Sequence, residues 1–406
     1  MELNDTPSSE RMHIGIFGKR NTGKSSLLNA ITGQQLAVVS DVAGTTTDPV
    51  RKAMELLPLG PVLLIDTPGI DDAGELGEKR VEKARQVLRQ TDIAILVVDA
   101  SSGKTGDDDE LLALFENMGV PHIIVYGKCD LLDSRESRGA NMAAPNEIFV
   151  SAATGENISE LKERMAGLMK TGGEKPRIVA DMLSPDDIVV LVVPIDKAAP
   201  KGRLILPQQQ TIRDILEADA TAVIAREYKL RETLDSLGRR PRMVITDSQA
   251  FAKVSAETPR DIPLTSFSIL MARHKGNLDA AVKGVLELKR ISDGDRILIA
   301  EGCTHHRQCD DIGTVKLPRW IRQFTGKEPE FNFTSGGEFP RDLSPYRLVV
   351  HCGACMLNER EMKYRERESA LQGVAFTNFG ILIACTQGIL KRSIAMFPHL
   401  AADFEN

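Results

Sequence analysis

The stretch G-K-R-N-T-G-K-S, residues 18 to 25, decides the fold of the N-terminal part of this chain. It follows an apolar run at 13–17 and precedes the helical pattern S-L-L-N-A-I. A glycine loop between a strand and a helix is the setting of a phosphate-binding loop, because its backbone N–H groups and the helix N-terminus attract phosphates. We expect Lys24 to reach the β- and γ-phosphates and Ser25 to bind magnesium. A glycine-rich turn without a ligand is the alternative interpretation.

Further strand ends follow in the order that a nucleotide-binding sheet requires. The run V-L-L-I-D-T-P-G ends a buried strand at Asp66 and continues to Gly69. We expect Asp66 to hold magnesium through water and the Gly69 amide to sense the γ-phosphate. Apolar runs at 94–98 and 122–126 then alternate with helical patterns. This alternation predicts a mainly parallel α/β sheet with ligands at the carboxyl ends of its strands.

Several motifs resemble those of the translation-factor-related GTPases, in particular the Era and TrmE branch. They are A-G-T-T-T-D-P at 43–49, G-K-C-D at 127–130 and S-A-A at 151–153, besides the phosphate loop. The resemblance implies that Thr46 contacts magnesium, that Asp130 reads the guanine edge and that Lys128 packs along the base. It further implies that Ser151 and Ala152 approach the guanine O6, and that the phosphate loop binds GTP through Gly18, Asn21, Thr22, Gly23, Lys24, Ser25 and Ser26.

Three positions bear on how this GTPase domain works. Gly127 stands where the family has an asparagine that ties the base loop to the phosphate loop, so we expect weaker nucleotide binding with guanine preference retained. Ile70 stands where Ras-like enzymes place a water-orienting glutamine. Asn21 occupies the position that binds potassium in the resembling branch. The resemblance therefore implies slow, potassium-stimulated GTP hydrolysis, and a loop-capping role is the alternative for Asn21.

The middle of the chain predicts a second α/β unit. T-G-G-E-K-P at 171–176 has the composition of a linker. Alternating apolar strands and amphipathic helices follow, with neither a phosphate loop nor paired carboxylates, so we expect this unit to serve assembly. Lys201 and Arg203 flank a glycine, and a solvated turn is the favoured interpretation of these charges.

Composition limits the functional classes. The net charge of -6 and the aromatic content of 4% argue against an RNA-binding surface built on basic patches and stacking platforms. No apolar run approaches the roughly 20 residues of a membrane span, and the polar N-terminus lacks a secretory signal. We therefore expect a cytoplasmic protein with no membrane or nucleic-acid partner. In that compartment cysteines are ligands, nucleophiles or core residues rather than disulfides.

Five of the six cysteines lie between residues 303 and 385. E-G-C-T-H-H at 301–306 and H-C-G-A-C at 351–355 each follow a predicted strand. Because C-x-x-C lets two thiolates converge, the pattern predicts a soft-metal site. Spacing alone does not distinguish tetrahedral zinc from an iron–sulfur cluster. The charge run after Cys355 predicts a helix with a solvated face.

The whole chain resembles the HydF family of FeFe-hydrogenase maturation GTPases. The resemblance implies a TrmE/Era-like GTPase domain at 1–172, an α/β dimerisation domain at 173–270 and an iron–sulfur domain at 271–406. It implies that Cys303, Cys352 and Cys355 hold a 4Fe-4S cluster whose fourth site is exchangeable, with His305 and His351 as unranked candidate ligands. His306, Cys309 and Cys385 lie off the motif, and for Cys385 a core thiol is favoured.

The resemblance further implies a scaffold that accepts a di-iron subcluster precursor from two radical-SAM maturases and delivers it to apo FeFe-hydrogenase. GTP hydrolysis would then switch partner binding, and the chain would form a homodimer. Two other functions stay open: an RNA-directed Era/TrmE-like GTPase with a zinc-stabilised C-terminal domain, and a redox-sensing GTPase.

Overall fold

The computed structural model describes residues 8–34, 50–67, 77–132, 144–169, 176–194, 204–302, 311–354 and 356–401. The chain divides into two compact units, residues 1–173 and 174–406. The predicted linker at 171–176 contains this division.

The first unit holds one six-stranded sheet. Its strands are β1 (Met12–Phe17), β2 (Val50–Leu56), β3 (Gly60–Asp66), β4 (Ile93–Asp99), β5 (His122–Gly127) and β6 (Glu147–Phe149). Its helices are α1 (Lys24–Thr32), α2 (Gly77–Leu88), α3 (Gly106–Asn117) and α4 (Ile158–Met169). The strand order is β2-β3-β1-β4-β5-β6, with β2 antiparallel to β3 and every other pair parallel.

The central strands are apolar on both faces because each face is covered. Every residue of β4 except its last is buried. One hydrophobic cluster joins this sheet to α1 and α4, and a second joins it to α2 and α3. Helices on both faces of a parallel sheet give the three-layer α/β sandwich that the alternating pattern predicts.

The second unit holds two four-stranded sheets. The first contains β7 (Ile188–Val192), β8 (Thr221–Ala225), β9 (Met243–Thr246) and β10 (Leu264–Ser266). The second contains β11 (Arg296–Glu301), β12 (Glu330–Ser335), β13 (Leu348–His351) and β14 (Ala375–Asn378). The helices are α5 (Leu206–Glu217), α6 (Leu230–Ser236), α7 (Phe251–Glu257), α8 (Phe267–His274), α9 (Leu278–Val285), α10 (Leu317–Thr325), α11 (Glu359–Leu371), α12 (Phe379–Thr386), α13 (Leu390–Ser393) and α14 (Pro398–Ala401).

Both sheets are parallel throughout, in the orders β10-β9-β7-β8 and β12-β11-β13-β14. A single hydrophobic cluster runs from β7 and β9 through α8 and α12 to β11 and β13. The two sheets therefore share one core, and the predicted boundary at residue 270 falls inside α8. The three-domain division stays a prediction.

The predicted α/β class with mainly parallel sheets and an N-terminal P-loop fold is confirmed. Among the described segments, no helix is long and apolar enough to cross a membrane.

Candidate functional site

The phosphate loop between β1 and α1 takes a backbone path that only small residues allow. A side-chain carbon on Gly18 would lie 2.4 Å from the carbonyl oxygen of Val97, and Gly18 has a φ of +139°. Gly23 precedes α1 with a φ of +96°. Asn21 also adopts a left-handed conformation, with a φ of 61°. Asparagine tolerates this conformation better than most residues, which fits its place at the tip of the loop.

The Lys24 ammonium lies inside this loop. Its Nζ donates hydrogen bonds to the carbonyls of Gly18 and Lys19, at 2.8 and 2.6 Å. The Thr22 hydroxyl donates to the same Lys19 carbonyl at 2.9 Å. The Lys24 ammonium, which we expect to bind phosphates, therefore lies near the N-terminus of α1. There the helix adds its own partial positive charge.

Asp66 at the end of β3 has the surroundings of a magnesium-binding carboxylate. Burial raises its pKa, while the Lys24 charge and a hydrogen bond from the Ser25 side chain oppose that rise. Its Oδ1 is buried and has no hydrogen-bond partner among the described residues. A buried carboxylate oxygen beside a serine hydroxyl fits the hard oxygen ligands that Mg²⁺ prefers. Ser25 and Asp66 are thus brought together as the motifs predict.

The base loop is tied to the phosphate loop by Lys128. This residue follows β5 in a left-handed conformation with a φ of 59°. Its Nζ donates to the main-chain carbonyl of Asn21 and to a carboxylate oxygen of Asp99, each at 2.7 Å. Although burial raises the pKa of Asp99, the hydrogen bonds from Lys128 and Ser101 outweigh it and lower that pKa. The lysine therefore joins the ends of β4 and β5 to the nucleotide loop.

A cavity of about 130 Å³ opens between these loops, where a guanine base is expected. Gly127, Lys128, Asp130 and Ala152 contribute to its lining. Ser151 is fully buried, and its hydroxyl accepts a hydrogen bond from the Thr154 backbone at 3.1 Å. Ala152 thus faces the cavity, while Ser151 shapes the turn that presents it. Predicted residues Thr46, Gly69 and Ile70 lie outside the described residues.

The strands that precede the two soft-metal motifs lie side by side in the second unit's second sheet. Strands β11 and β13 are neighbours, with Ala300 opposite His351. The chain leaves β11 towards β12 on one side and returns to β13 on the other, so a topological switch point lies between them. Open parallel sheets bind ligands at such points. Cys352 follows β13 at this crevice, and Cys303 is the second residue after β11.

The thiol of Cys352 sits among backbone donors. Its Sγ accepts hydrogen bonds from the amides of Gly302 at 3.0 Å and Ala354 at 3.3 Å. A side-chain carbon on Gly302 would lie 3.5 Å from the Ala354 Cα and 2.9 Å from Leu357. The residues immediately before Cys303 and Cys355 are therefore in contact. N–H donors aimed at a sulfur stabilise a thiolate ligand, so this edge fits a thiolate-bound cluster.

Predicted ligands Cys303, His305 and Cys355, and the off-motif His306 and Cys309, lie outside the described residues. Within the described ranges, no group of three or more histidines, cysteines or acids is close enough to hold a metal ion.

His351 is fully buried, and both of its ring nitrogens have partners. Nδ1 lies 2.9 Å from the Cys352 carbonyl, and Nε2 lies 3.0 Å from the Arg365 guanidinium. Since a carbonyl only accepts and a guanidinium only donates, the proton resides on Nδ1. Burial, reinforced by the Arg365 charge, lowers the pKa of His351 to about 3. The imidazole ring of His351 is therefore neutral, and both of its nitrogens are hydrogen-bonded.

The prediction that the charge run after Cys355 forms a solvated face is wrong for two residues of α11. Arg365 is fully buried and donates from Nε to Glu361 at 2.8 Å, while Glu361 is almost fully buried. A second guanidinium nitrogen donates to the carbonyl of Gly336 at 2.9 Å. Burying this ion pair beneath the sheet edge is tolerated because each charge meets an oppositely charged or hydrogen-bonding partner.

Sequence reasoning missed three residues near the two sites: Asp99, Lys275 and Arg365. Lys275, at the end of α8, donates from Nζ to the carbonyls of Ala354 at 2.5 Å and Gly353 at 3.2 Å. Such long-range contacts leave no pattern in the sequence around these residues. Asp99 is the exception, because an aspartate that ends an apolar strand in a nucleotide-binding sheet is a recognisable sign of a site residue. Cys385 packs against the hydrophobic core, and burial raises its pKa, as the core-thiol prediction expects.

Comparison with known proteins gives matches along most of the chain. Residues 13–128 match the family model of 50S ribosome-binding GTPases. Residues 178–276 match the hydrogen maturase F dimerization domain, and residues 279–396 match the hydrogen maturase F tetramerization domain.

Curated relatives match about two fifths of the chain. The GTPase Der of Wolinella succinogenes is 38% identical over 176 residues, covering 40% of this chain and 37% of that protein. The tRNA modification GTPase MnmE of Nitrosomonas europaea is 33% identical over 173 residues, covering 42% of this chain and 37% of that protein. The chain therefore spans little more than a third of the length of these relatives. Among solved structures, Era of Aquifex aeolicus is 21% identical with a TM-score of 0.35, covering 56% of this chain and 98% of Era.

The fold and the phosphate-loop site define a P-loop GTPase domain joined to a second α/β unit. The two hydrogen maturase F models together match more than half of the chain. The chain belongs to the hydrogen maturase F family.

Proposed function

We propose that this protein is a GTP-hydrolysing scaffold that carries a 4Fe-4S cluster and delivers a di-iron subcluster precursor to apo FeFe-hydrogenase. The observation that carries the proposal is the thiol of Cys352, held by two backbone amides at a sheet switch point in a hydrogen maturase F chain. The cargo is the substrate of the scaffold, and the two radical-SAM maturases that supply it are the proposed partners, in the cytoplasm.

The GTPase domain acts as a switch on partner binding. Lys24, Ser25 and Asp66 hold the phosphates and magnesium, and Asp130 selects guanine. Thr46 and Gly69 are the proposed γ-phosphate sensors, and loops of this kind reorder when the γ-phosphate leaves. Asn21 holds potassium, which supplies positive charge to the transition state. In this proposal hydrolysis sets which partner is bound, and it need not drive the inorganic chemistry.

Three thiolates hold the cluster in this proposal: Cys303, Cys352 and Cys355. An iron that lacks a fourth thiolate can accept a bridging ligand of the cargo and release it again. We place His305 ahead of His351 as the weak fourth ligand, because both ring nitrogens of His351 already have hydrogen-bond partners. His351 then serves the site by donating to the Cys352 carbonyl.

The proposal is tested by anaerobic purification followed by iron, sulfide and zinc analysis, and by activation of apo-hydrogenase in the presence of both maturases. We expect a brown protein with about four irons per chain. The Cys355→Ser variant should lose iron and activation. The matched control is Cys385→Ser, which changes a core thiol off the motif and should retain both.

Stoichiometric zinc in a colourless protein would contradict the scaffold and support the RNA-directed GTPase, whose hydrolysis should then be stimulated by RNA. A redox-sensing GTPase predicts a different result: GTP hydrolysis would change when the cluster is removed, and apo-hydrogenase would stay inactive.

A further inference from the structure

A fully buried arginine lies close to the cysteine loop, residues 352–354. The side chain of Arg365 in α11 has no exposed surface, and among the described residues it is the bulkiest side chain buried to this degree. Its guanidinium lies over the ring of Phe339, 5.0 Å from the ring centre. Because removing a charge from water is costly, a buried arginine persists where its donors are well used. The contacts of Arg365 therefore indicate its role.

The guanidinium holds three different segments through its three nitrogens. Nε donates to Glu361, one turn earlier in α11, at 2.8 Å. The second nitrogen, Nη1, lies 3.0 Å from Nε2 of His351 at the end of β13. The third, Nη2, donates to the carbonyl of Gly336, which directly follows β12, at 2.9 Å. Arg365 thus joins α11 to the ends of two strands at the edge of the sheet that carries the cysteine loop.

An arginine is the residue that can make these contacts together. Its planar guanidinium presents five N–H donors in a fixed fork and does not lose its proton in proteins. A lysine ammonium is a single nitrogen on a flexible stem, so it lacks this fork. At His351 the guanidinium therefore always donates, and the ring nitrogen that faces it has to accept.

This contact decides which way the His351 ring donates. When Nε2 accepts from Arg365, the one proton of the neutral imidazole resides on Nδ1. Nδ1 lies 2.9 Å from the Cys352 carbonyl and donates to it. In histidine, the hydrogen bond at one ring nitrogen sets the protonation of the other. Without the arginine, the ring has no reason to keep its proton on the side of Cys352.

The backbone that His351 holds is strained. Ala354 has a φ of 52°, a left-handed conformation that residues other than glycine adopt at an energetic cost. Such a conformation persists when the surrounding contacts determine it. Those contacts converge on Cys352, whose amide donates to the Ala300 carbonyl at 2.9 Å and whose Sγ accepts from Gly302 and Ala354. The Cys352 carbonyl completes this set through the His351 ring.

We propose that Arg365 is a positioning residue of the iron–sulfur site, which acts through His351 to fix the backbone of the cysteine loop. The inference rests on the proposed function, in which Cys352 is a cluster ligand. Arg365 keeps the His351 proton on Nδ1, and Nδ1–H holds the Cys352 carbonyl, so that the thiol stays turned towards its two amide donors. The ligand is therefore held in place by its supporting contacts, which is what a preorganised site requires.

The first measurement locates the proton on the His351 ring. Nitrogen-15 NMR of the full chain, labelled at histidine and stripped of metal, distinguishes Nδ1–H from Nε2–H. Comparison with His351→Asn identifies the His351 signal among the seven histidines. We expect Nδ1–H in the wild type. In Arg365→Met the proton should move, wholly or in part, to Nε2, the nitrogen that free histidine favours.

Two precautions separate this effect from loss of folding. Every Arg365 variant also carries Glu361→Gln, because removing the arginine alone leaves a buried carboxylate without its cation. Glu361→Gln by itself is the reference, since it keeps the contact between Arg365 and His351. Circular dichroism checks that each variant is folded.

The second measurement follows the loss of iron from the anaerobically purified protein to a ferrous chelator. We expect Arg365→Met to lose iron about 2- to 13-fold faster than the reference, the range for one neutral hydrogen bond. Adding His351→Asn should restore the reference rate, and with it the electron paramagnetic resonance signal of the reduced cluster. The asparagine amide takes the place of Nδ1 and always donates, so it needs no arginine to set its tautomer.

Arg392→Met is the matched control. Arg392 also donates to main-chain carbonyls of the same unit, those of Ser255 and Thr258 at the end of α7, at 2.7 and 2.9 Å. This variant should keep the His351 tautomer and the rate of iron loss.

Three results overturn the proposal: an unchanged His351 tautomer in Arg365→Met, iron loss that His351→Asn does not correct, and equal iron loss in Arg392→Met. A wild-type protein without an iron–sulfur cluster overturns the proposed function instead. The tautomer in the metal-free chain then decides by itself whether Arg365 sets the His351 ring.

Discussion

Gly127 offers the sharpest prediction, because the family asparagine can be restored in place. Gly127 ends β5 and is absent from the residues with positive φ, so an L side chain meets no backbone strain there. A side-chain carbon at this position would lie 3.3 Å from the Thr22 carbonyl oxygen and 3.7 Å from Val97. The side chain of Gly127→Asn would therefore point at the phosphate loop, with an amide that can donate to it.

The expected gain is one neutral hydrogen bond, because Lys128 already joins the two loops through the Asn21 carbonyl. Such a bond contributes about 0.5–1.5 kcal/mol. The contact at 3.3 Å is tight, so the Thr22 carbonyl must move by a few tenths of an ångström. We expect Gly127→Asn to bind GTP about 2- to 13-fold more tightly than the wild type, at the upper end only if that shift costs little.

The assay is titration with a fluorescent GTP analogue and competition by unlabelled GTP, in magnesium and potassium. Gly127→Ala is the matched control, because it introduces the same tight contact without a donor and should bind GTP no more tightly than the wild type. If Gly127→Asn binds GTP no more tightly than Gly127→Ala, a side-chain hydrogen bond from position 127 to the phosphate loop does not raise GTP affinity, and the reasoning is refuted.

Three further predictions concern separate parts of the chain. Asn21→Gly, which keeps the left-handed backbone, should lose the stimulation of GTP hydrolysis by potassium over sodium; equal wild-type rates in the two salts would contradict the potassium site. The side-chain hydrogen bond from Arg273 lowers the pKa of Asp181 in the folded protein. The ionised Asp181 therefore stabilises the fold above its unfolded-state pKa of about 3.9, and this stabilisation is lost as the pH falls through the lowered pKa of the folded state. Urea unfolding should accordingly show Asp181→Asn less stable than wild type at pH 7, with a difference that shrinks towards pH 3. Lys275→Met removes a cation from the carbonyls of Gly353 and Ala354, so the proposed cluster should become harder to reduce; an unchanged potential with full iron content would rule this out.

Much of the nucleotide site could be read from the sequence because its parts are local. A glycine loop between β1 and α1 fixes the path of the six residues 18–23, while Asp66 ends β3 and Asp130 follows β5. Parallel strands bring such ends to one edge, so the approach of Ser25 to Asp66 followed from alternation alone. The hydrogen bonds of Lys128 to the Asn21 carbonyl and to Asp99 could not be predicted in this way, because they join three strand ends that are far apart in the chain.

At the C-terminal site, the sequence predicted less than the structure shows. The cysteine spacing indicated a soft-metal site but did not distinguish zinc from an iron–sulfur cluster, and the charge pattern of α11 predicted a solvent-exposed face. Periodicity reports which residues share a helix face, whereas burial depends on what packs against that face. Only the folded structure shows that Arg365 is buried between Glu361 and His351, and that it donates a hydrogen bond to Nε2 of His351, a predicted cluster ligand.

The sequence by itself determined the α/β class, the phosphate loop, the loop that follows β5 and the two Cys/His motifs that follow β11 and β13, because each is a pattern of consecutive residues. The tertiary structure alone decided which strands lie at edges and which are covered. The two sheets of the second unit have the same strand order, yet the match in sequence between them is short: T-S-F-S-I-L-M-A at 265–272 and T-N-F-G-I-L-I-A at 377–384. Strand order depends on contacts between distant segments, and that is why the position of β8 and β12 at the ends of their sheets became visible only in the folded chain.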